Sequence, residues 1–320
     1  MKRLSSYILV GFILTASLLA SCNNNKKSND GRTDTATSGT IGFVSDESFS
    51  PLVEEELQAF EASYPQAKLK PTYSNETDGL NQLLKGKCWL VFTARALKPS
   101  EVESLKAQNF LPQSRKIGYD ALALIVNKQN NDTVISVDDF KRILNGEALK
   151  WGDIFKGSKR GTITVVFDNP KSSTVHFVED SVLGGYAIKN PNVAAVKRTA
   201  DVIKYVEDNP GAIGIIGNNW LNDKRDTTNL TFNRNIQVMR VSRVHPATAT
   251  SGRKPYQYYI WNGEYPLVRT LYAVLNDPRR ALPTTFTHFV EQPRGQLIIL
   301  KTGLLPAYGN INIRDVNVSQ

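Results

Sequence analysis

Three stretches of the chain crowd hydrogen-bond donors where a helix is about to begin. They are Ser45-Asp46-Glu47-Ser48-Phe49-Ser50, Ser74-Asn75-Glu76-Thr77-Asp78-Gly79 and Ser172-Ser173-Thr174. The first turn of a helix leaves its amides unpaired and carries partial positive charge, so it suits an anion, and hydroxyls add further donors. Each stretch also reads as an ordinary N-cap, because Ser, Thr and Asp cap helices everywhere, and periodicity alone does not say whether the three converge. The 39 Lys and Arg against 30 Asp and Glu give a formal charge of +9, which favours anionic partners without naming one.

Other chemistries find little support. His176, His245 and His288 are too scattered for a spaced zinc motif, and two cysteines exclude a disulfide scaffold or a four-cysteine metal site. No metal or cofactor is called for. Ser251-Gly-Arg-Lys254 and Lys301-Thr302-Gly303 carry the letters of an acyl-serine enzyme. The Ser-x-Asn element between them is missing, however, and Pro255 follows the lysine at once. There is no Gly-x-Ser-x-Gly and no Walker loop. The basic residues are dispersed rather than striped, which argues against nucleic acid. The residues read as a binding protein, not an enzyme.

The elements that must hold these junctions alternate between strand and helix. Ile41–Val44 predicts a short buried strand, and Val53, Leu57 and Phe60 predict one face of the helix that follows. Strands are predicted over 68–73, 89–93, 119–126 and 162–167, and helices with Leu80, Leu83 and Leu84, with Phe140, Ile143 and Leu144, and with Val175, Val178 and Val182. Ser136-Val-Asp-Asp139 has capping-box spacing, and Gly146 reads as the stop. This is a wound α/β pattern, with ligands expected at the carboxyl ends of the strands.

Residues 1–21 read as an address. Lys2 and Arg3 precede an apolar run from Tyr7 to Ala20, and Leu19-Ala20-Ser21-Cys22 looks like a bacterial lipobox, with Cys22 the acylated residue. Residues 22–39 are almost devoid of apolar side chains and read as a flexible tether. A membrane surface facing an extracytoplasmic space is the expected location. With Cys22 blocked, Cys88 is a lone thiol, and its setting, Lys87-Cys88-Trp89-Leu90-Val91, reads as core.

From residue 40 onward, an ordered set of segments resembles the phosphate-binding-protein family, the substrate-binding lipoproteins of ATP-binding-cassette phosphate importers. Ser48-Phe49 stands at the family's Thr-Phe pair, and Thr77-Asp78-Gly79-Leu80 at its second junction. Ser136–Gly146 with Trp151, Pro210-Gly-Ala-Ile-Gly214, Tyr265-Pro-Leu-Val-Arg269 and Gly295-Gln296 leading to Gly303-Leu304-Leu305-Pro306 follow in the family's order. The resemblance implies a type 2 periplasmic-binding-protein fold, α/β, with two lobes and a hinge: 40–118 with 243–320 as one lobe and 119–242 as the other. It also implies a monomer that captures inorganic phosphate between the lobes and delivers it to a transporter permease.

The implied ligand set is Ser48, Phe49, Thr77, Thr93, Arg95, Asp168, Ser172, Ser173 and Thr174. Two positions depart from the family. Its buried aspartate after the third strand is absent from Thr93-Ala94-Arg95, and its arginine aligns with Asp168. The expectation is therefore an exchange of charges, with Arg95 forking onto the anion and Asp168 accepting the proton of monohydrogen phosphate. The other readings are that Arg95 and Asp168 pair with each other, that the anion is a different one, or that the fold serves a sensor or surface adaptor.

Overall fold

In the computed structural model, residues 31–222 and 234–309 are described; the leader, Cys22 and the tether up to residue 30 lie outside them. The chain divides into two compact units, Met1–Asp34 and Thr35–Gln320. In the first, Arg32 forks onto Asp34, with Nε to Oδ1 at 2.9 Å and Nη2 to Oδ2 at 2.8 Å.

The second unit opens with the expected alternation. β1 (Gly39–Asp46) passes through a 3-10 turn, Glu47–Phe49, into α1 (Ser50–Ser63); then come β2 (Ala67–Ser74), α2 (Glu76–Leu84), β3 (Leu90–Thr93) and α3 (Pro99–Ala107). β1 pairs in parallel with both β2 and β3, so the strands point their carboxyl ends, and the junctions after them, the same way. A single strand, β4 (Gln113–Asn127), then runs for 15 residues. Its first third was not legible in the sequence, because Gln113, Ser114, Arg115 and Lys116 look like loop; they are the rim of a strand whose register is set by a distant partner.

Beyond it lie β5 (Val134–Ser136), α4 (Val137–Leu144), α5 (Trp151–Ile154), β6 (Thr164–Phe167), α6 (Ser173–Phe177), β7 (Val193–Ala195), α7 (Thr199–Asp208), β8 (Ala212–Gly217), β9 (Ile236–Val238) and β10 (Arg240–Ser242). The chain closes with α8 (Gln257–Trp261), β11 (Val268–Leu275), α9 (Leu282–Glu291), α10 (Pro293–Lys301) and β12 (Leu305–Pro306). The main sheet has the order β2-β1-β3-β11-β4-β8-β6-β7, and β5 with β10 forms a separate pair. β11 is antiparallel to both β3 and β4, while β6 lies parallel to β8 and β7. The long β4 joins the two halves, pairing with β11 along Gln113–Ala121 and with β8 along Leu122–Val126.

Each half has its own core. On one side Phe43, Phe60, Phe92 and Phe286 meet with ring centroids 5.1–5.8 Å apart. On the other, Leu122, Leu124, Phe140, Trp151, Val165 and Ile213 are fully buried together. Each such side chain contributes about 1.5–3 kcal/mol by leaving water. Cys88 is buried beside Leu80, Leu83 and Val91, and burial pushes its thiol up to about 12, so it is an inert core residue.

Two local details differ from the sequence expectation. Ser136 caps α4 by accepting from the Asp139 amide at 3.0 Å. The Asp139 carboxylate takes the Ser136 hydroxyl at 2.7 Å. A capping box would have that carboxylate reach the cap's own amide. Gly146, at φ +77°, ends the segment in a conformation that costs other residues. The helix carrying Val175, Val178 and Val182 is α-helical only to Phe177 and widens into a π turn over Val178–Val182.

Candidate functional site

Asp46 ends β1, and its carboxylate caps the turn that follows. Oδ1 accepts from the Ser48 amide at 2.9 Å and from the Ser48 hydroxyl at 2.6 Å. Oδ2 accepts from the Ser173 amide at 3.2 Å, at the start of α6 and 127 residues away. Two of the hydroxyl-rich junctions therefore do converge. The Ser48 and Ser173 oxygens lie 3.4 Å apart, and both residues are buried.

The cation that reaches them is Arg269, on β11. Its Nη1 donates to Ser173 Oγ at 2.7 Å and its Nη2 to Ser48 Oγ at 3.1 Å. Its Nε and Nη2 grip Asp120 Oδ2 at 2.8 and 2.7 Å, across a register in which Arg269 and Asp120 are direct strand partners. The guanidinium lies over the Phe49 ring, 4.6 Å from its centroid. Gly217 completes the cradle: a Cβ there would sit 3.0 Å from Asp120 Oδ2 and 3.3 Å from Arg269 Nη2. Buried and held on three sides, this guanidinium presents a planar, fixed fork.

On the far side of Ser173, the Thr174 hydroxyl donates to Asp168 Oδ1 at 2.5 Å. It also lies 2.7 Å from Ser172 Oγ. Ser172 in turn donates to the Asn169 carbonyl at 2.8 Å. The second junction contributes differently. Glu76, the first residue of α2, accepts from Thr93 Oγ1 at 2.6 Å and from the Ala94 amide at 3.0 Å, so a carboxylate from a helix meets the end of β3. Its other oxygen accepts from His176 Nδ1 on α6 at 2.9 Å. Thr77 Oγ1 lies 3.4 Å from His176 Nε2.

The charges of this cluster are strongly shaped by burial. Desolvation, with the Asp168 carboxylate beside it, raises Asp46 to about 6, against the opposing pull of Arg269. Burial would likewise raise Glu76, but the bonds from His176, Thr93 and Ala94 take it below the ordinary carboxylate range. The same bond to Glu76 raises His176, against its own partial burial.

Ser48, Phe49, Ser173, Thr174, Ser172 and Asp168 therefore lie in one connected cluster, with Thr93 and Thr77 joined to it through Glu76 and His176. Arg95 reaches only the edge of this cluster, with Nε 3.9 Å from Glu76 Oε1. Its guanidinium forks onto Glu101, at 2.8 Å for each nitrogen, and donates to the Ala96 carbonyl at 3.0 Å. No Arg95–Asp168 pair forms among the described residues: Asp168 faces Thr174, and the buried cation that reaches Ser48 and Ser173 is Arg269. The reason is local, since Glu101 in the first turn of α3 takes the guanidinium fork and leaves Glu76 only a long contact. The acyl-serine letters are also accounted for. Ser251 Oγ accepts from the Thr248 amide at 2.9 Å in a turn, and no helix starts there.

Sequence reasoning missed Asp46, Glu76, Asp120, His176 and Arg269 as site members. Arg269 was within a quoted segment, Tyr265–Arg269, and Asp46 within the acid and hydroxyl cluster at 45–48. An arginine inside a buried strand was the available signal, because such a charge demands a partner.

Comparisons with known proteins agree with this architecture. A family profile described as a PBP superfamily domain matches residues 30–293. The Phosphate-binding protein PstS of Bacillus subtilis is 23% identical over 329 residues, spanning 100% of this chain and 98% of that protein. That of Staphylococcus haemolyticus is 25% identical over 181 residues, about half of each (55% and 55%). Among solved structures, a Clostridium perfringens protein assigned as a phosphate ABC transporter substrate-binding protein, with phosphate bound, superposes with a TM-score of 0.68. It is 19% identical, and the match covers 84% of this chain and 100% of that one.

Proposed function

This chain belongs to the PBP superfamily, and on that premise we propose that it is an extracytoplasmic solute-binding protein that captures inorganic phosphate and hands it to an ATP-binding-cassette importer. The observation that carries the reading is the convergence of Arg269, Ser48 and Ser173. Two hydroxyls and two backbone amides from separate junctions, together with one buried guanidinium, meet at a single point. A tetrahedral oxyanion that sheds its water needs this set of donors around a fixed cation. The names of the two relatives given above, both phosphate-binding proteins, supply the choice of anion.

Residues 40–118 with 243–320 and residues 119–242 serve as two lobes hinged along β4, which pairs with β11 in its first part and with β8 in its second, and the anion lies where β1 and α6 approach each other. Asp168 and Glu76 are the acceptors for the proton of monohydrogen phosphate. Sulfate carries no such proton, so it meets those carboxylates in simple repulsion. Cys22 carries the lipid anchor, residues 22–39 the tether, and the delivered anion passes to a membrane permease.

Calorimetry on the processed protein tests this. Phosphate is expected to saturate one site per chain, with sulfate, nitrate and molybdate at least about tenfold weaker, the scale of one unpaired buried contact. No heat with any of the four would overturn the binding role, and sulfate binding as well as phosphate would overturn the assignment of the anion.

A further inference from the structure

Asp46 does something a phosphate site has no obvious use for. Its carboxylate occupies the donors that an oxyanion would take: the Ser48 amide and hydroxyl on one side and the Ser173 amide on the other. It is 1% exposed. The groups facing it are mostly of its own sign. Asp168 lies beyond β6, Glu76 comes from α2 and Glu47 is its chain neighbour. Against them stand Arg269 from β11, itself shared with Asp120 of β4, and His176 of α6, held by Glu76.

Taking the oxyanion reading as the premise, we propose that Asp46 is an internal competitor for the ligand and that phosphate binds only as the Asp46 carboxyl takes up a proton from solvent. The argument is one of charge and valence. A carboxylate and a phosphate dianion cannot both be held by two amides and one hydroxyl in a dry pocket, since the repulsion between them is unscreened there. Once protonated, the same carboxyl releases those amides and offers an O–H, so a competitor becomes a donor. The proton goes onto an Asp46 oxygen and no other bond changes. A carboxyl already raised to about 6 by its burial is poised for this uptake near neutrality. Arg269 stays in place throughout, because Asp120 and Phe49 hold it independently of Asp46.

The consequence is a proton-linked affinity that belongs to one residue. Above pH 6, wild-type affinity for phosphate should weaken by up to about tenfold per pH unit relative to Asp46→Asn, in which the amide cannot compete as an anion. At pH 8 the variant should bind phosphate more tightly than wild type. Calorimetry in buffers of different ionisation heat should give about one more proton taken up per phosphate by wild type than by the variant, with phosphate's own titration common to both.

The inference fails if the two proteins show the same pH profile and proton count. It also fails if Asp46→Asn loses phosphate binding while melting at the wild-type temperature. Should the variant not fold, carbon-13 carboxyl spectra of aspartate-labelled wild type decide the matter. One buried aspartate must become protonated at pH 7 on adding phosphate, and no change overturns the proposal. If neither protein binds phosphate at any pH, the oxyanion reading itself falls, a result distinct from binding without proton linkage.

Discussion

At the scale of single residues, the difference between two arginines is decisive. Arg95 shares its charge with Glu101 and, at longer range, Glu76 and is partly exposed, whereas Arg269 is buried with its fork aimed at two serines. Arg269→Ala should cost about 2–4 kcal/mol of phosphate binding, on the order of thirty- to a thousandfold, the scale for a charge-assisted bidentate contact. Arg269→Lys keeps the charge, which holds Asp120 paired, but loses the fork, and should still weaken binding by at least about tenfold. Arg95→Ala should stay within about threefold of wild type, since the Arg95 fork is spent on Glu101 and its contact with Glu76 is a long 3.9 Å. Titration of the three variants with phosphate checks the ordering; a large loss at Arg95 with little at Arg269 would reverse it. The hydroxyl-rich junctions were legible in the sequence because capping chemistry is local, written within six residues. Arg269 and Glu76 were not, because their partners, Asp120 and His176, lie 149 and 100 residues away. Only the strand register and the approach of the start of α2 to His176 on α6 bring them together.

At the scale of elements, several polar groups show how junctions are held and where they are not. α7 has no side-chain cap of its own, and Glu47 supplies one from beside β1, accepting from the Thr199 amide at 3.0 Å and hydroxyl at 2.7 Å. Glu56 on α1 is the opposite case. It is buried, neither carboxyl oxygen has a hydrogen-bond partner among the described residues, and burial raises it to about 9. It is therefore a neutral, unsatisfied acid at pH 7. Glu56→Leu should stabilise the fold by about 1–3 kcal/mol, the usual cost of an unpaired buried polar group. For a domain of this size that is roughly 2–4 °C per kcal/mol in thermal midpoint. Calorimetric melting checks it, and a lowered midpoint would mean that Glu56 has a role the structure does not display. The helix itself was readable from Val53, Leu57 and Phe60, but a glutamate on its buried side was not, since periodicity marks faces and not the depth to which each is covered.

At the scale of the whole molecule, the titrating groups combine into one pH dependence. Asp46 and Glu56 are raised carboxyls, so the folded state holds their protons more tightly than the unfolded chain, and stability falls as pH rises from about 4 through about 6 and about 9 respectively. His176 is raised as well; its contribution is complete below 6.5 and is lost as pH climbs past that value. Glu76 and Glu101 are lowered, so theirs is present above about 4.5 and lost on acidification. The signs agree on greatest stability near pH 5, declining toward pH 9, and denaturant melts at fixed salt should show it; a maximum above pH 8 would contradict these assignments.

The wound α/β order was legible along the chain because each strand and helix carries its own period. That β4 is a single strand shared by both halves was not, since it depends on β11 and β8 arriving on either side of it. The most direct test is a crystal structure of the processed protein grown with phosphate. It should show one anion touching Arg269, Ser48 and Ser173, with Asp46 turned from acceptor to donor. An anion seated beside Arg95, or a cluster whose Asp46 bonds are unchanged with phosphate bound elsewhere, would contradict the account.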